Sequence, residues 1–166
     1  MTWKDRNGTN LVVAGRTLTT GKDAGGLETR SGTVRVVHVA RTESAHPVVL
    51  RTMTDTSGVP CELDLSMDVA SDYAVAADLN GDGYGEVSVS WYSACRGDPG
   101  TYLVKTALLS NGAKYILRGV GWVGGKPDIP GEWADGKVTD TEPAASQWPK
   151  GFHRPTTNVF LRLFRG

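Results

Sequence analysis

Tyr102-Leu103-Val104-Lys105-Thr106-Ala107-Leu108-Leu109-Ser110-Asn111-Gly112-Ala113-Lys114-Tyr115-Ile116-Leu117-Arg118-Gly119 consists of two apolar-rich runs separated by two residues. Asn111 and Gly112 both tolerate positive φ, so the pair predicts a tight hairpin joining strands over Tyr102 to Ser110 and Ala113 to Gly119. Upstream, Val87-Ser88-Val89-Ser90-Trp91 places an apolar residue at every second position, the pattern of a strand with one buried face. Further runs rich in β-branched residues and bounded by turn formers predict strands near Asn10 to Leu18, Thr33 to Arg41, Pro47 to Thr54, Asp72 to Ala77 and Glu86 to Ser93. The last two should pair through Asp78 to Gly85, which extends the hairpin into an antiparallel meander. Within Pro155 to Arg165, Val159, Phe160, Leu163 and Phe164 share one helical face, with Pro155 suited to the first turn. The expected fold is mainly β, an antiparallel meander closed as a sandwich or a partly open barrel, with a C-terminal α-helix covering the sheet.

Composition agrees with that reading. The chain has 166 residues, 39% hydrophobic and 22% charged, within the range of one globular domain, and we read 1–166 as a single domain. Its 21 glycines and 8 prolines favour turns over long helices. No apolar run approaches the roughly 20 residues of a membrane-spanning helix. Net charge is zero, so no global positive field exists to hold nucleic acid or an anionic membrane. The charge is unevenly placed, however. Between Asp55 and Asp98 nine acids face one base, Arg96, while each flank carries a net +4. An acidic centre suits a cation better than a phosphate.

The sharpest motif lies inside that block: Asp78-Leu79-Asn80-Gly81-Asp82-Gly83-Tyr84-Gly85-Glu86. Side-chain oxygens of Asp78, Asn80, Asp82 and Glu86, with the Tyr84 carbonyl, form a set that can wrap a hard cation at about 2.4 Å, and calcium is the natural occupant. Gly83 supplies the sharp turn that brings the later ligands back. A helix-loop-helix site would need a Glu where Val89 stands, and the flanks read as strands, so the loop is expected within a β-hairpin. The competing reading is a pair of turns whose carboxylates only cap backbone amides. Cys61 and Cys95 lack zinc-site spacing. They read either as a disulfide, worth roughly 3 to 4 kcal/mol for a loop of about 35 residues, or as two buried thiols of a reducing compartment. No signal-peptide pattern precedes Leu11-Val12-Val13-Ala14, so the chain is either the mature part of an exported protein or cytosolic.

The acidic loop resembles those of FG-GAP and VCBS calcium-binding repeats. Taken with Trp3-Lys4-Asp5-x-x-Gly8-x-Asn10, Cys61-x-x-Asp64, Tyr92-x-x-Cys95-Arg96-Gly97-Asp98 and Lys114-Tyr115-x-x-Arg118-Gly119, the chain is similar to an uncharacterised bacterial family labelled surface polysaccharide biosynthesis proteins. After Asp98 it departs from that pattern, carrying Pro99-Gly100-Thr101 in place of Val-Ser-Pro. The resemblance implies a Cys61–Cys95 disulfide, a structural calcium ion and an exported chain. It implies no reaction.

Other motifs carry less. Arg96-Gly97-Asp98 beside Cys95 reads as a turn, as does the sequon Asn7-Gly8-Thr9. Gly119-Val120-Gly121-Trp122-Val123-Gly124 has nucleotide-loop spacing, but Pro127 and Pro130 fall where a phosphate-binding helix would run. His38, His46 and His153 are scattered, and no nucleophile motif is present. Trp3, Trp91 and Trp148 are assigned to the core. Trp122 and Trp133, in a Gly/Pro-rich stretch, are the candidate ligand-binding residues, suited to stacking on sugar rings. The expectation is a non-catalytic, monomeric, extracytoplasmic module whose partner is a cell-surface glycan or another envelope protein. The alternatives are an immunity or inhibitor protein that blocks another protein, and a hydrolase with an unrecognised site.

Overall fold

The computed structural model describes residues 1–42, 46–56, 60–123 and 135–165. Ten strands form among them: β1 (Thr2–Asp5), β2 (Gly8–Lys22), β3 (Glu28–Arg41), β4 (Val48–Thr56), β5 (Asp64–Val69), β6 (Val75–Ala77), β7 (Glu86–Arg96), β8 (Tyr102–Ser110), β9 (Ala113–Gly121) and β10 (Lys137–Glu142). One helix, α1 (His153–Arg162), follows them. The first four strands make a meander in the order β1-β2-β3-β4. The second sheet runs β10-β9-β8-β7-β5, with β6 also paired to β7, and every pairing is antiparallel. The expectation of a mainly β antiparallel fold with a terminal helix holds, and the sheets stay open as a sandwich instead of closing into a barrel.

Alternation decides which residues go where. On β7, Val87, Val89 and Trp91 turn toward the first sheet and join Val12, Val34, Val36 and Met67 in the core between the sheets. On β8 and β9, Leu108 and Leu117 turn the other way, onto Phe152, Phe160, Leu163 and Phe164 of the helical segment. The result is three layers around two cores, with the second sheet in the middle. That explains why β8 and β9 read as nearly continuous apolar runs, since both faces are covered; on β7, expected to bury one face only, the alternate positions Ser88 and Ser90 are buried as well. Between β8 and β9, Asn111 has φ 40° and Gly112 has φ 84°, the positive values that the sequence requires of this turn.

Several elements differ from expectation. Ser71–Tyr73 is a single 3-10 turn, so the strand expected from Asp72 shortens to β6. Strands β1, β5 and β10 were not anticipated. β9 continues past the expected Gly119 to Gly121, and Lys137–Glu142 pairs with it through a bulge between Val138 and Asp140.

Helix and sheet approach closely because β9 presents glycine to them. A Cβ on Gly119 would strike the Lys137 carbonyl and the Phe160 ring, and one on Gly121 would strike Phe164. Gly119→Ala should therefore destabilise the protein by about 1–3 kcal/mol through overpacking. Gly15→Ala, whose Cβ would meet nothing within 4 Å, should leave chemical denaturation unchanged or slightly improved. Equal midpoints for the two variants in urea would contradict this account of the helix–sheet contact.

Candidate functional site

The acidic loop joins β6 to β7, as expected for a loop within a β-hairpin. Its side chains wind it from inside. Asp78 accepts hydrogen bonds from the Gly81 amide (2.8 Å) and the Gly83 amide (3.0 Å). Asn80 Oδ1 accepts from the Asp82 amide at 3.0 Å, and Asp82 Oδ1 accepts from the Tyr84 amide at 2.9 Å. Asn80 Nδ2 donates to Asp82 Oδ2 at 2.8 Å. Gly81 (φ 78°) and Gly83 (φ 87°) take the left-handed conformation that lets these consecutive turns close.

Glu86 lies elsewhere. It is buried at 1% exposure, accepting from the Leu79 amide and the Ser110 hydroxyl, both at 2.8 Å. Burial pushes its pKa above the usual carboxylate value, and the nearby charges of Asp82 and Asp78 push the same way against those two hydrogen bonds. The hard oxygens of Asp78, Asn80 and Asp82 and the Tyr84 carbonyl are the types that would hold calcium. Each Asp78 oxygen and Asp82 Oδ1 accepts one amide and keeps a lone pair. Among the described residues, however, no three His, Cys, Asp or Glu side chains converge on one point, because Glu86 is turned inward.

The loop is docked on the β1–β2 hairpin by residues that sequence reading did not single out for this role. Asp5 Oδ1 accepts from the Asn7 amide and Asn10 Nδ2, both at 2.7 Å. Asp5 Oδ2 accepts from the Gly85 amide at 2.8 Å and Trp3 Nε1 at 3.0 Å. Burial opposes the Asp5 charge, but the four donors outweigh it and hold the pKa below the usual 3.8. Arg6 adds its amide to the Gly83 carbonyl (2.9 Å) and its guanidinium to the Asp82 carbonyl (2.8 Å). Asn10 Oδ1 in turn meets His38 Nε2 at 3.0 Å. The Asn10 amide nitrogen already serves Asp5 and Gly8, so the His38 proton belongs on Nε2. Burial lowers the His38 pKa and outweighs the Asp5 charge, keeping the ring neutral. The Trp-Lys-Asp-x-x-Gly-x-Asn spacing is the one sequence signal that could have located this cluster.

Cys61 and Cys95 form a disulfide with Cα atoms 5.6 Å apart. Cys61 also exchanges two backbone hydrogen bonds with Arg30, so the staple fastens β7 to the edge of β3. Trp91 and Trp148 are buried and Trp3 packs on the inter-sheet core, as expected. Trp122 is half-buried beside Arg96, whose guanidinium carbon lies 4.1 Å from the Tyr102 ring centre and 5.9 Å from that of Trp122. Arg96 folds back to the Gly100 and Thr101 carbonyls, so Arg96-Gly97-Asp98 closes the β7–β8 turn. Trp133 lies outside the described residues. No helix among the described residues is long and apolar enough to cross a membrane.

Because the Asp5 pKa is depressed, its contribution is complete above 3.8 and disappears as pH falls through the folded-state value. Asp5→Asn keeps one acceptor oxygen for four donors and should cost about 1–3 kcal/mol near neutral pH. The gap to wild type should narrow in urea melts at about pH 3. A gap of the same size in acid would show that the charge on Asp5 is immaterial. No protein-family model, curated protein or solved structure matches the chain, so the roles of these residues rest on their own geometry.

Proposed function

We propose that the protein is a non-catalytic, calcium-stabilised β module of the bacterial cell exterior that binds cell-surface glycans. The observation that carries the reading is the loop over 78–86, wound by its own amides with Asp78, Asn80 and Asp82 on successive turns. Calcium there would be structural: it would offset the repulsion among neighbouring carboxylates and fasten β6 to β7. The disulfide supports an oxidising compartment. The strongly placed ionisable groups also support a structural role, since Asp5, Glu86 and His38 all spend hydrogen bonds on holding strands and loop together. For ligand contact, Trp122 is the residue of choice, a half-buried indole beside a cation at the end of the middle sheet.

A protein-binding role, as an immunity or inhibitor module, is the second reading. It is favoured by the outer face of the first sheet, where Leu11 and Val13 on β2 and Val49 on β4, the two strands flanking β3, are 40%, 56% and 59% exposed.

Two measurements test the first reading. Calorimetry should show a single calcium-binding event, calcium should raise the melting midpoint, and chelator should reverse the rise. Melting that ignores both additions would remove the ion from the proposal. On a glycan array, Trp122→Ala should weaken binding roughly tenfold. An array silent for wild type, with a protein complex that Val13→Glu disrupts, would replace the glycan reading with the second one.

A further inference from the structure

The two sheets differ in width, and the mismatch opens a cleft. β4 is the edge of the first sheet, and the inward-facing side chains of β8 and β9 continue beyond it. Arg51 and Asp55 from β4, Lys105 from β8, and Lys114 and Arg118 from β9 line a space of about 370 Å³ over an apolar floor that includes Ile116. Four cations thus face one carboxylate.

Most of this charge is matched. Asp55 is consumed, accepting from Lys105 Nζ and Trp91 Nε1, both at 2.6 Å. Arg118 is paired with Asp140 and Glu142 at the rim, and Lys114 reaches Glu142 at 3.1 Å. Arg51 is the exception. Its Nε is out of contact with solvent and has no hydrogen-bond partner among the described residues, and no carboxylate there lies within ion-pairing distance of its guanidinium. An arginine Nε withdrawn from water without an acceptor is unfavourable, and a planar carboxylate is the group whose two oxygens match the guanidinium fork.

The rest of the lining narrows the ligand. Thr52 and Thr54 alternate with the inward-facing Arg51, Met53 and Asp55, so it is their backbone that borders the cleft. β4 pairs only with β3, so one side of its backbone offers unpaired donors and acceptors along the edge. Hydroxyls of a sugar can meet these backbone groups. The geometry points to the β4–β9 cleft as a binding site for an acidic sugar of the uronic-acid class, its carboxylate held by Arg51 with Lys114 beside it. This rests on the glycan-binding reading for the ligand class, but it uses none of the residues of the calcium loop or of the Trp122 cluster.

Titration of the full chain with glucuronate, glucose, N-acetylglutamate and inorganic phosphate tests the inference. Glucuronate should bind, and glucose should not. Arg51→Gln and, separately, Lys114→Gln should each weaken glucuronate binding, Arg51→Gln by about tenfold to a hundredfold. Glucuronate shifts mapped by NMR on the unmodified chain should cluster on β4 and β9, a readout that survives if Arg51→Gln fails to fold. Absence of glucuronate binding, affinity unchanged from wild type in both variants, or shifts elsewhere would overturn the site. Binding of phosphate or N-acetylglutamate as tight as that of glucuronate would overturn the acidic-sugar assignment. Neutral glycans that bind through Trp122 while glucuronate does not would overturn the cleft and leave the glycan reading standing.

Discussion

Four hydrogen bonds converge on the carboxylate of Asp5, and they fasten the two sheets at one end. Three of the donors, the Asn7 amide, Asn10 Nδ2 and the Trp3 indole, belong to its own hairpin, and the fourth is the Gly85 amide from the β6–β7 loop of the opposite sheet. A neutral acceptor could not meet four donors with the same strength, since hydrogen bonds to an ionised group are roughly twice as strong as neutral ones. The arrangement excludes side chains as well as requiring one: a Cβ on Gly85 would collide with the Trp3 indole, and one on Gly83 with the Arg6 side chain. The glycines that make the acidic loop look like a flexible turn are therefore also contact surfaces. Through Asn10 the same network reaches His38 on β3, so loop, hairpin and central strand share one set of polar contacts.

A second polar tie, Asp55 with Trp91 and Lys105, joins the sheets near the cleft, and the disulfide joins them beside β5. Between these ties the sandwich is held by Val12, Val34, Val36, Met67, Val87 and Val89, small and medium side chains that suit closely spaced sheets. The wider middle sheet has to be covered on its other face, and the aromatic side chains of the helical segment do so. The cleft and the helix layer thus have one origin, a middle sheet broader than the sheet it packs against.

How much of this was legible in the sequence follows from how local each signal is. Asn111-Gly112, the alternation from Val87 to Trp91, and the helical spacing of Val159, Phe160, Leu163 and Phe164 depend on neighbours in the chain; the turn and the helical face emerge in the structure, and the alternation sends Val87, Val89 and Trp91 to one core, although Ser88 and Ser90 on the other face are buried too. β10 escaped because Lys137–Glu142 has a single apolar residue, Val138, and β5 because the alternation of Leu65, Met67 and Val69 spans only six residues with two acids among them; both are edge strands, where polar side chains are tolerated. β1 escaped because four residues with alternating partial burial give too short a period to recognise. The contiguous loop residues Asp78, Asn80 and Asp82 were found as a group, whereas Glu86 is drawn away by Ser110, a contact 24 residues distant. The contacts of Asp5 with Gly85 and of Arg6 with Asp82 cross gaps in sequence that no spacing rule spans.

The order of elements along the chain has a further consequence. α1 comes after all ten strands. While a nascent polypeptide emerges from its N-terminus, the outer surface of β7, β8 and β9 stays bare until Phe152 to Phe164 arrive, leaving Leu108 and Leu117 open to mispairing. Strand pairing and cysteine oxidation can both precede that arrival, so an intermediate already cross-linked but still sticky on one side has to be shielded until the last segment docks.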